Sequence, residues 1–270
     1  MFAMLLGVAA LWGAAAGLLV PRAAYRFSVD PDDAWRDTCP AGHPFSGVAR
    51  GWLGPVRCAA CAGVRTAPRT ATVAASEPDA GSAEAGGTAE RYAPSVLAPV
   101  VTALGCTALA AATGLRPELV VWLLLAPVAV LLATIDRRVH RLPDQLTLPL
   151  AGAAALLLGG AALLPEHAGS WTSALLGGLA LGGFYLLLFL INPNGMGFGD
   201  VKLALSLGVA LGWYGWATVC AGGFAGFVFG SVYGFGLMIL RRAGRKTGIP
   251  FGPFMIGGAL LGLLLGGLAA

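Results

Sequence analysis

Two carboxylates end long apolar runs in this chain. Asp136 follows LVVWLLLAPVAVLLATI, and Asp200 follows GGFYLLLFLINPNGMGFG. A charge at membrane depth is costly, so an intramembrane or interfacial carboxylate marks a functional site by default. Two such groups could share one proton, and a pair of that kind activates water. A second constellation is Cys39-Pro-Ala-Gly-His43 with Cys58-Ala-Ala-Cys61. Four soft or borderline donors in two pairs suit a tetrahedral structural Zn²⁺, with Cys39, His43, Cys58 and Cys61 as ligands. A redox pair is the other chemistry open to these thiols.

The elements that must position these groups are membrane helices. The 270 residues are 57% hydrophobic and only 11% charged, with a mean hydropathy of +0.78. A soluble globular chain carries about 25% charged residues. The apolar runs are continuous and strand alternation is absent, which selects helices over a barrel. The predicted class is an all-α polytopic membrane protein with about eight transmembrane helices and a small cytoplasmic zinc-binding insert after the first. Its constant partner is the lipid bilayer. The net charge of +4 is no signal for nucleic acid; its distribution reads as topology.

The expected spans are residues 2–20, 93–114, 119–135, 147–164, 171–191, 201–214, 217–240 and 250–269. The first is a retained anchor, because Arg22 and Arg26 follow its apolar stretch and no basic residue precedes it. With residues 21–92 in the cytoplasm, Arg137, Arg138, Arg141, Lys202, Arg241, Arg242, Arg245 and Lys246 fall inside. Of the basic residues in the short loops, only Arg116 falls outside. Asp136, Asp144 and Asp200 then share the cytoplasmic face, while Glu118 and Glu166 lie opposite. The domain plan is a first helix over 1–20, a zinc-binding segment over 21–65, a flexible linker over 66–92 and a seven-helix membrane domain over 93–270. Residues 66–92 are poor in bulky apolar side chains and cannot bury a core.

Each acid also has a structural reading. Asp136 could pair with Arg137, Arg138 or His140. Asp144 or Thr147 could cap the helix that follows Pro143, which stiffens the return into the membrane. Asp200 could cap a helix beside Lys202. Gly197 and Gly199 flank Phe198 and let the backbone bend and approach a substrate strand closely. A Gly-x-Gly-Asp at a membrane boundary gains weight from the second acid on the same face.

Asp136 with Leu-Pro143-Asp144-Gln-Leu-Thr147, followed by Gly197-Phe-Gly199-Asp200-Val-Lys202, resembles the type IV prepilin peptidase family of GxGD-type membrane aspartic proteases. The stretch Ile249-Pro-Phe-Gly-Pro-Phe254 is similar to that family's last-helix motif, and the resemblance covers about residues 93–270. It implies a membrane aspartic endopeptidase that removes the basic leader from type IV prepilin or pseudopilin precursors. It places the site at the cytoplasmic face of a bacterial plasma membrane, with Asp136 and Asp200 as the catalytic pair. Gly197, Gly199, Lys202, Asp144 and Pro143 would support the site or bind substrate.

Family members carry two Cys-x-x-Cys pairs in the amino-terminal region, where this chain has Cys39-x3-His43 in place of the first. The resemblance associates that region with S-adenosylmethionine-dependent N-methylation of the new pilin terminus. Residues 17–26 lack the Asn expected there, so a structural lid or docking role is the alternative. Two other function classes stay open. One is a transporter or channel using the carboxylates, which would place them near mid-membrane. The other is a non-catalytic assembly factor of a pilus or secretion machine, which would need the cysteines but not the acids.

Overall fold

The computed structural model describes residues 1–30, 33–52, 58, 61, 96–193, 195–240 and 249–270. The linker expected over 66–92 and the basic residues Arg241, Arg242, Arg245 and Lys246 lie outside the described residues. The described chain is helical, and its only strand-like feature is an isolated bridge between Thr38 and Pro44. The helices are α1 (Phe2–Gly17), α2 (Val20–Phe27), α3 (Leu97–Thr113), α4 (Glu118–Val139), α5 (Asp144–Ala161), α6 (Trp171–Ile191), α7 (Phe198–Gly212), α8 (Trp216–Ile239) and α9 (Gly252–Ala269). A short turn, Val48–Gly51, follows Cys39 and His43.

Apolar helices thus stand at all eight expected places. Five segments are long and apolar enough to cross a membrane: Phe2–Phe27, Glu118–Val139, Trp171–Ile191, Trp216–Ile239 and Gly252–Ala269. The others are shorter, as with the 17-residue α3 and 15-residue α7, or begin on a carboxylate, as α5 does at Asp144. The first span reaches Phe27 instead of stopping at residue 20. Pro21 falls in the first turn of α2, where its missing N–H costs nothing, so the chain resumes its helix after a brief break. Large apolar side chains such as Leu104, Leu187, Leu190, Phe224 and Val232 project outward from the bundle. A surface of that kind suits lipid as solvent and makes this a multi-pass membrane protein.

The core is organised around α7. Leu203, Ala204, Leu211 and the adjoining Trp213 are almost completely buried, and the helix is covered by α5, α6, α8 and α9. Its closest partner is α6, and small residues explain why. A Cβ at Gly208 would lie 2.5 Å from the Gly177 carbonyl oxygen and 2.9 Å from the Gly178 Cα. Lipid gives helices no hydrophobic reason to associate, so backbone-to-backbone contact of this kind supplies the packing energy. The pair α8 and α9 uses the same device where Gly258 meets Gly222 and Gly226. Ser206 Oγ adds a hydrogen bond from α7 to the Thr147 carbonyl of α5 at 3.2 Å.

Gly208→Leu is expected to lower the thermal unfolding midpoint in detergent, because overpacking a tight interface costs about 1–3 kcal/mol. The neighbouring exposed change Leu187→Ile serves as the control and should leave the midpoint unchanged.

Candidate active site

Four helix ends meet at one end of the bundle. Asp136 lies in the last turn of α4, where the negative end of the helix dipole suits Arg137 and Arg138 but not a carboxylate. His140 then takes a left-handed conformation (φ 51°) and its N–H closes the helix on the Asp136 carbonyl at 2.8 Å. The chain turns through Leu142 and the extended Pro143 into α5. Across from this loop, Gly197 is the N-cap of α7 and Asp200 stands in that helix's first turn. The fourth end is the start of α9 at Gly252.

Both acids are buried, Asp136 at 4% and Asp200 at 8% exposure. They are near enough to interact electrostatically. Two close approaches bring them together. A Cβ on Gly199 would sit 2.9 Å from the Leu142 Cβ, so only glycine lets the start of α7 rest on the α4–α5 loop. A Cβ on Gly252 would sit 2.8 Å from Asp136 Oδ2, and without it the Gly252 N–H donates to that oxygen at 2.9 Å. Asp136 therefore takes its hydrogen bond from α9 and makes no ion pair with Arg137, Arg138 or His140 among the described residues. Tyr185 of α6 is buried at 1% exposure, close enough to Asp200 for its phenol to feel that charge. Its ring stacks on Phe227 at 5.5 Å and lies 6.2 Å from that of Phe251.

The supporting residues fall around this pair in distinct ways. Gly197 is exposed and Gly199 is wedged on Leu142. Asp144 forms a 2.6 Å ion pair with Lys202, whose ammonium also lies 4.8 Å from the Phe198 ring centre. Helix capping by Asp144 or Thr147 is not what the structure shows. Asp144 is already inside α5, the N-cap is Pro143, and the Thr147 hydroxyl bonds back to the Pro143 carbonyl from within the helix. Asp200 likewise is not the N-cap residue, which is Gly197, but stands in the first turn of α7. The Asp144–Lys202 bridge ties the ends of α5 and α7 together just outside the buried pair. Gly252 and Tyr185 were not among the sequence-derived site residues. Gly252 had a signal in the Pro-Phe-Gly-Pro stretch; Tyr185 had none, being one aromatic in an apolar run.

Cys39, His43, Cys58 and Cys61 converge in the amino-terminal segment, with one donor atom from each lying within 4.8 Å of the others. Cys39 Sγ is 3.5 Å and Cys61 Sγ 3.3 Å from His43 Nδ1, and the two sulfurs are 3.8 Å apart. Burial and the facing Cys39 and Cys58 thiols push the Cys61 thiol up to about 11. The group can hold a metal ion, whose charge would displace those protons. The cluster is attached to the membrane helices through Arg22 and Arg26 of α2. Arg22 donates to the Ser46 carbonyl at 2.9 Å, while Arg26 bridges Asp37 and lies 3.9 Å from the Trp52 ring centre.

The type IV leader peptidase family model matches residues 123–266, more than half of the chain and all of the carboxylate site. The chain belongs to this family. A prepilin leader peptidase/N-methyltransferase of Aeromonas salmonicida is 38% identical over 147 residues, covering 53% of this chain and 48% of the relative. The protein of that name from Pseudomonas aeruginosa is 34% identical over 156 residues, 55% of this chain and 48% of its own. One from Bacillus subtilis is 31% identical over 106 residues, 39% and 42% of the two chains. The chain spans about half the length of the curated relatives it matches. No solved structure matches it.

The Asp144–Lys202 pair is half open to solvent, so it should act as a brace of modest strength. Asp144→Asn is expected to lower stability by less than about 1 kcal/mol, a loss that shrinks in high salt. Thermal unfolding in detergent at low and high ionic strength checks this.

Proposed function

We propose that this protein is a membrane aspartic endopeptidase that removes the leader from type IV prepilin-like or pseudopilin precursors. The observation that carries this is the meeting of Asp136 and Asp200 under a backbone donor from α9, inside the family-matched stretch. The names of the relatives specify prepilin leaders as their substrate class. In this reading residues 93–270 are the peptidase domain, and the bias of basic residues supports a site at the cytoplasmic face of a bacterial plasma membrane.

The chemistry needs two carboxyls in different protonation states. Like charges so close cannot both ionise cheaply, so the pair holds one proton between its members. The ionised carboxylate takes a proton from water, and the hydroxyl oxygen bonds to the scissile carbonyl carbon. The protonated carboxyl donates to the carbonyl oxygen as the tetrahedral intermediate forms. Collapse breaks the C–N bond: the proton taken from water goes to the leaving amine, and the second carboxylate takes back a proton from a hydroxyl of the intermediate as the carbonyl re-forms. The Gly252 N–H holds Asp136 at the angle this requires, and Tyr185 with its aromatic neighbours keeps bulk water from the far side. Gly199 supports the approach of α7 to the α4–α5 loop. Lys202 and Asp144 brace the rim, and Pro143 fixes the turn between the acids.

The four-donor cluster suits zinc. Zn–S bonds of about 2.3 Å and Zn–N bonds of about 2.0–2.1 Å in a tetrahedron set ligand edges near 3.5–3.8 Å. The Cys39–His43 and Cys39–Cys61 separations match those edges, and Cys61 lies slightly closer to His43. Zinc there would be a structural cross-link that adds folding energy to residues 28–61. The relatives' names also include N-methyltransferase activity, which would use S-adenosylmethionine. Peptide cleavage by the acid pair needs neither group. The position of both acids at helix ends, away from mid-membrane, disfavours the transport reading.

Co-expression with a prepilin should show leader removal on a gel, and Asp136→Asn and Asp200→Asn should each abolish it at unchanged membrane levels. Full cleavage by either variant would reassign that acid. Gly252→Ala should reduce kcat about 10- to 100-fold, as a misplacement near 1 Å does. Cys61→Ser should lower bound metal from about one zinc per chain to well below it, measured by elemental analysis of purified protein.

A further inference from the structure

The cytoplasmic end of the bundle is positively charged. Arg137, Arg138 and Arg141 follow Asp136, and Arg36 of the amino-terminal segment faces Arg138. One cavity there has the opposite character. It has a volume of about 370 Å³ and lies between the amino-terminal segment and the end of α4. Phe27 and Trp35 form aromatic walls, Asp30 and Asp33 supply carboxylates, and Ile135 and Val139 form the wall from α4. Ile135 is the residue next to Asp136, and Pro143 and Gln145 close the side toward Asp144. The volume falls within the ~300–1,000 Å³ of pockets that take small ligands or side chains.

The chemistry of this lining selects its occupant. Neither Asp30 nor Asp33 is in an ion pair among the described residues, whereas Asp37 and Asp144 both are. Two carboxylates beside two aromatic faces are what an ammonium or guanidinium needs: charge-assisted acceptors and a π surface. Arg141 is the single cation among the described lining residues and is exposed, so Asp30 and Asp33 outnumber it there. The aromatic walls are fixed from behind, because Phe27, Trp35 and Trp52 pack on one another with ring centres 4.7–5.5 Å apart.

We propose that the cavity between Phe27, Asp30, Asp33, Trp35 and α4 binds a Lys or Arg side chain of the substrate, with Asp30 and Asp33 as specificity-determining residues. This rests on the peptidase reading of Asp136 and Asp200, since the cavity matters to cleavage through its position beside Asp136. Phe27, Asp30, Asp33 and Trp35 lie outside the family-matched stretch, so the amino-terminal segment contributes recognition to a site whose chemistry belongs to the membrane helices. It also accounts for how a basic peptide reaches a catalytic end surrounded by arginines. The carboxylates compensate locally for a field that would otherwise repel it.

The test uses the full chain in nanodiscs of zwitterionic lipid and a dye-labelled leader-length peptide carrying lysines, with a matched peptide carrying glutamines. Fluorescence anisotropy should show the lysine peptide binding wild type more tightly than the glutamine peptide. The Asp30→Asn/Asp33→Asn variant should bind the lysine peptide about 3- to 10-fold more weakly, as charge-assisted contacts at a partly solvated site allow. It should bind the glutamine peptide unchanged. In cleavage, KM for a prepilin should rise by a similar factor at constant kcat, and removing the leader cation as well should cost nothing more. Metal content and thermal midpoint equal to wild type establish that the variant is folded; if they fall, Asp30→Glu/Asp33→Glu must retain the lysine preference. Equal binding of both peptides by wild type, or additive losses of the two changes, overturns the proposal. A wild type that prefers the lysine peptide but cleaves no prepilin would instead count against the peptidase reading alone.

Discussion

A carboxyl group in an apolar bundle is tolerable only where backbone donors or other polar partners reach it, and the architecture around Asp136 follows from that constraint. Its donor, the Gly252 N–H, comes from the last helix and can come so close only because position 252 has no side chain. The same absence at Gly199 lets the start of α7 rest on Leu142, bringing Asp200 toward Asp136. With α7 fixed at both its tip and its glycine seam against α6, the remaining helices have one surface to cover.

The division of labour follows the depth of each group. The two acids and Tyr185 are buried at the meeting of the helix ends, where a low dielectric strengthens their influence on one another. The Asp144–Lys202 pair lies outward, half solvated and mechanical in its role. Farther out, the cysteine and histidine cluster is tied to α2 by two buried arginines. The buried acids thus sit on membrane helices, and the four-donor cluster sits on a segment of its own.

Much of this was legible in the residues. Long apolar runs fixed the helices because nothing else satisfies the backbone in lipid, and the bias of arginine and lysine put Asp136 and Asp200 at one end. Cys39, His43, Cys58 and Cys61 could be paired because their spacing is local. What could not be read depends on distant contacts. Tyr185 looks like any aromatic in an apolar run, and only the fold turns it toward Asp200. Asp144 has the composition of a cap and serves as a brace, because Lys202 arrives from another helix. Asp30 and Asp33 look like loop solvation until α4 closes a cavity over them.

The hydrogen bond between Gly252 and Asp136 spans 116 positions of the chain. During synthesis α4 enters the membrane long before α9 leaves the ribosome. Throughout that interval the Asp136 carboxyl lacks its backbone donor, and the partner helix that orients it does not yet exist. The nascent chain therefore carries Asp136 without its partner until α9 is inserted, so the geometry around the two acids is set by a helix made long after the one that bears the first of them.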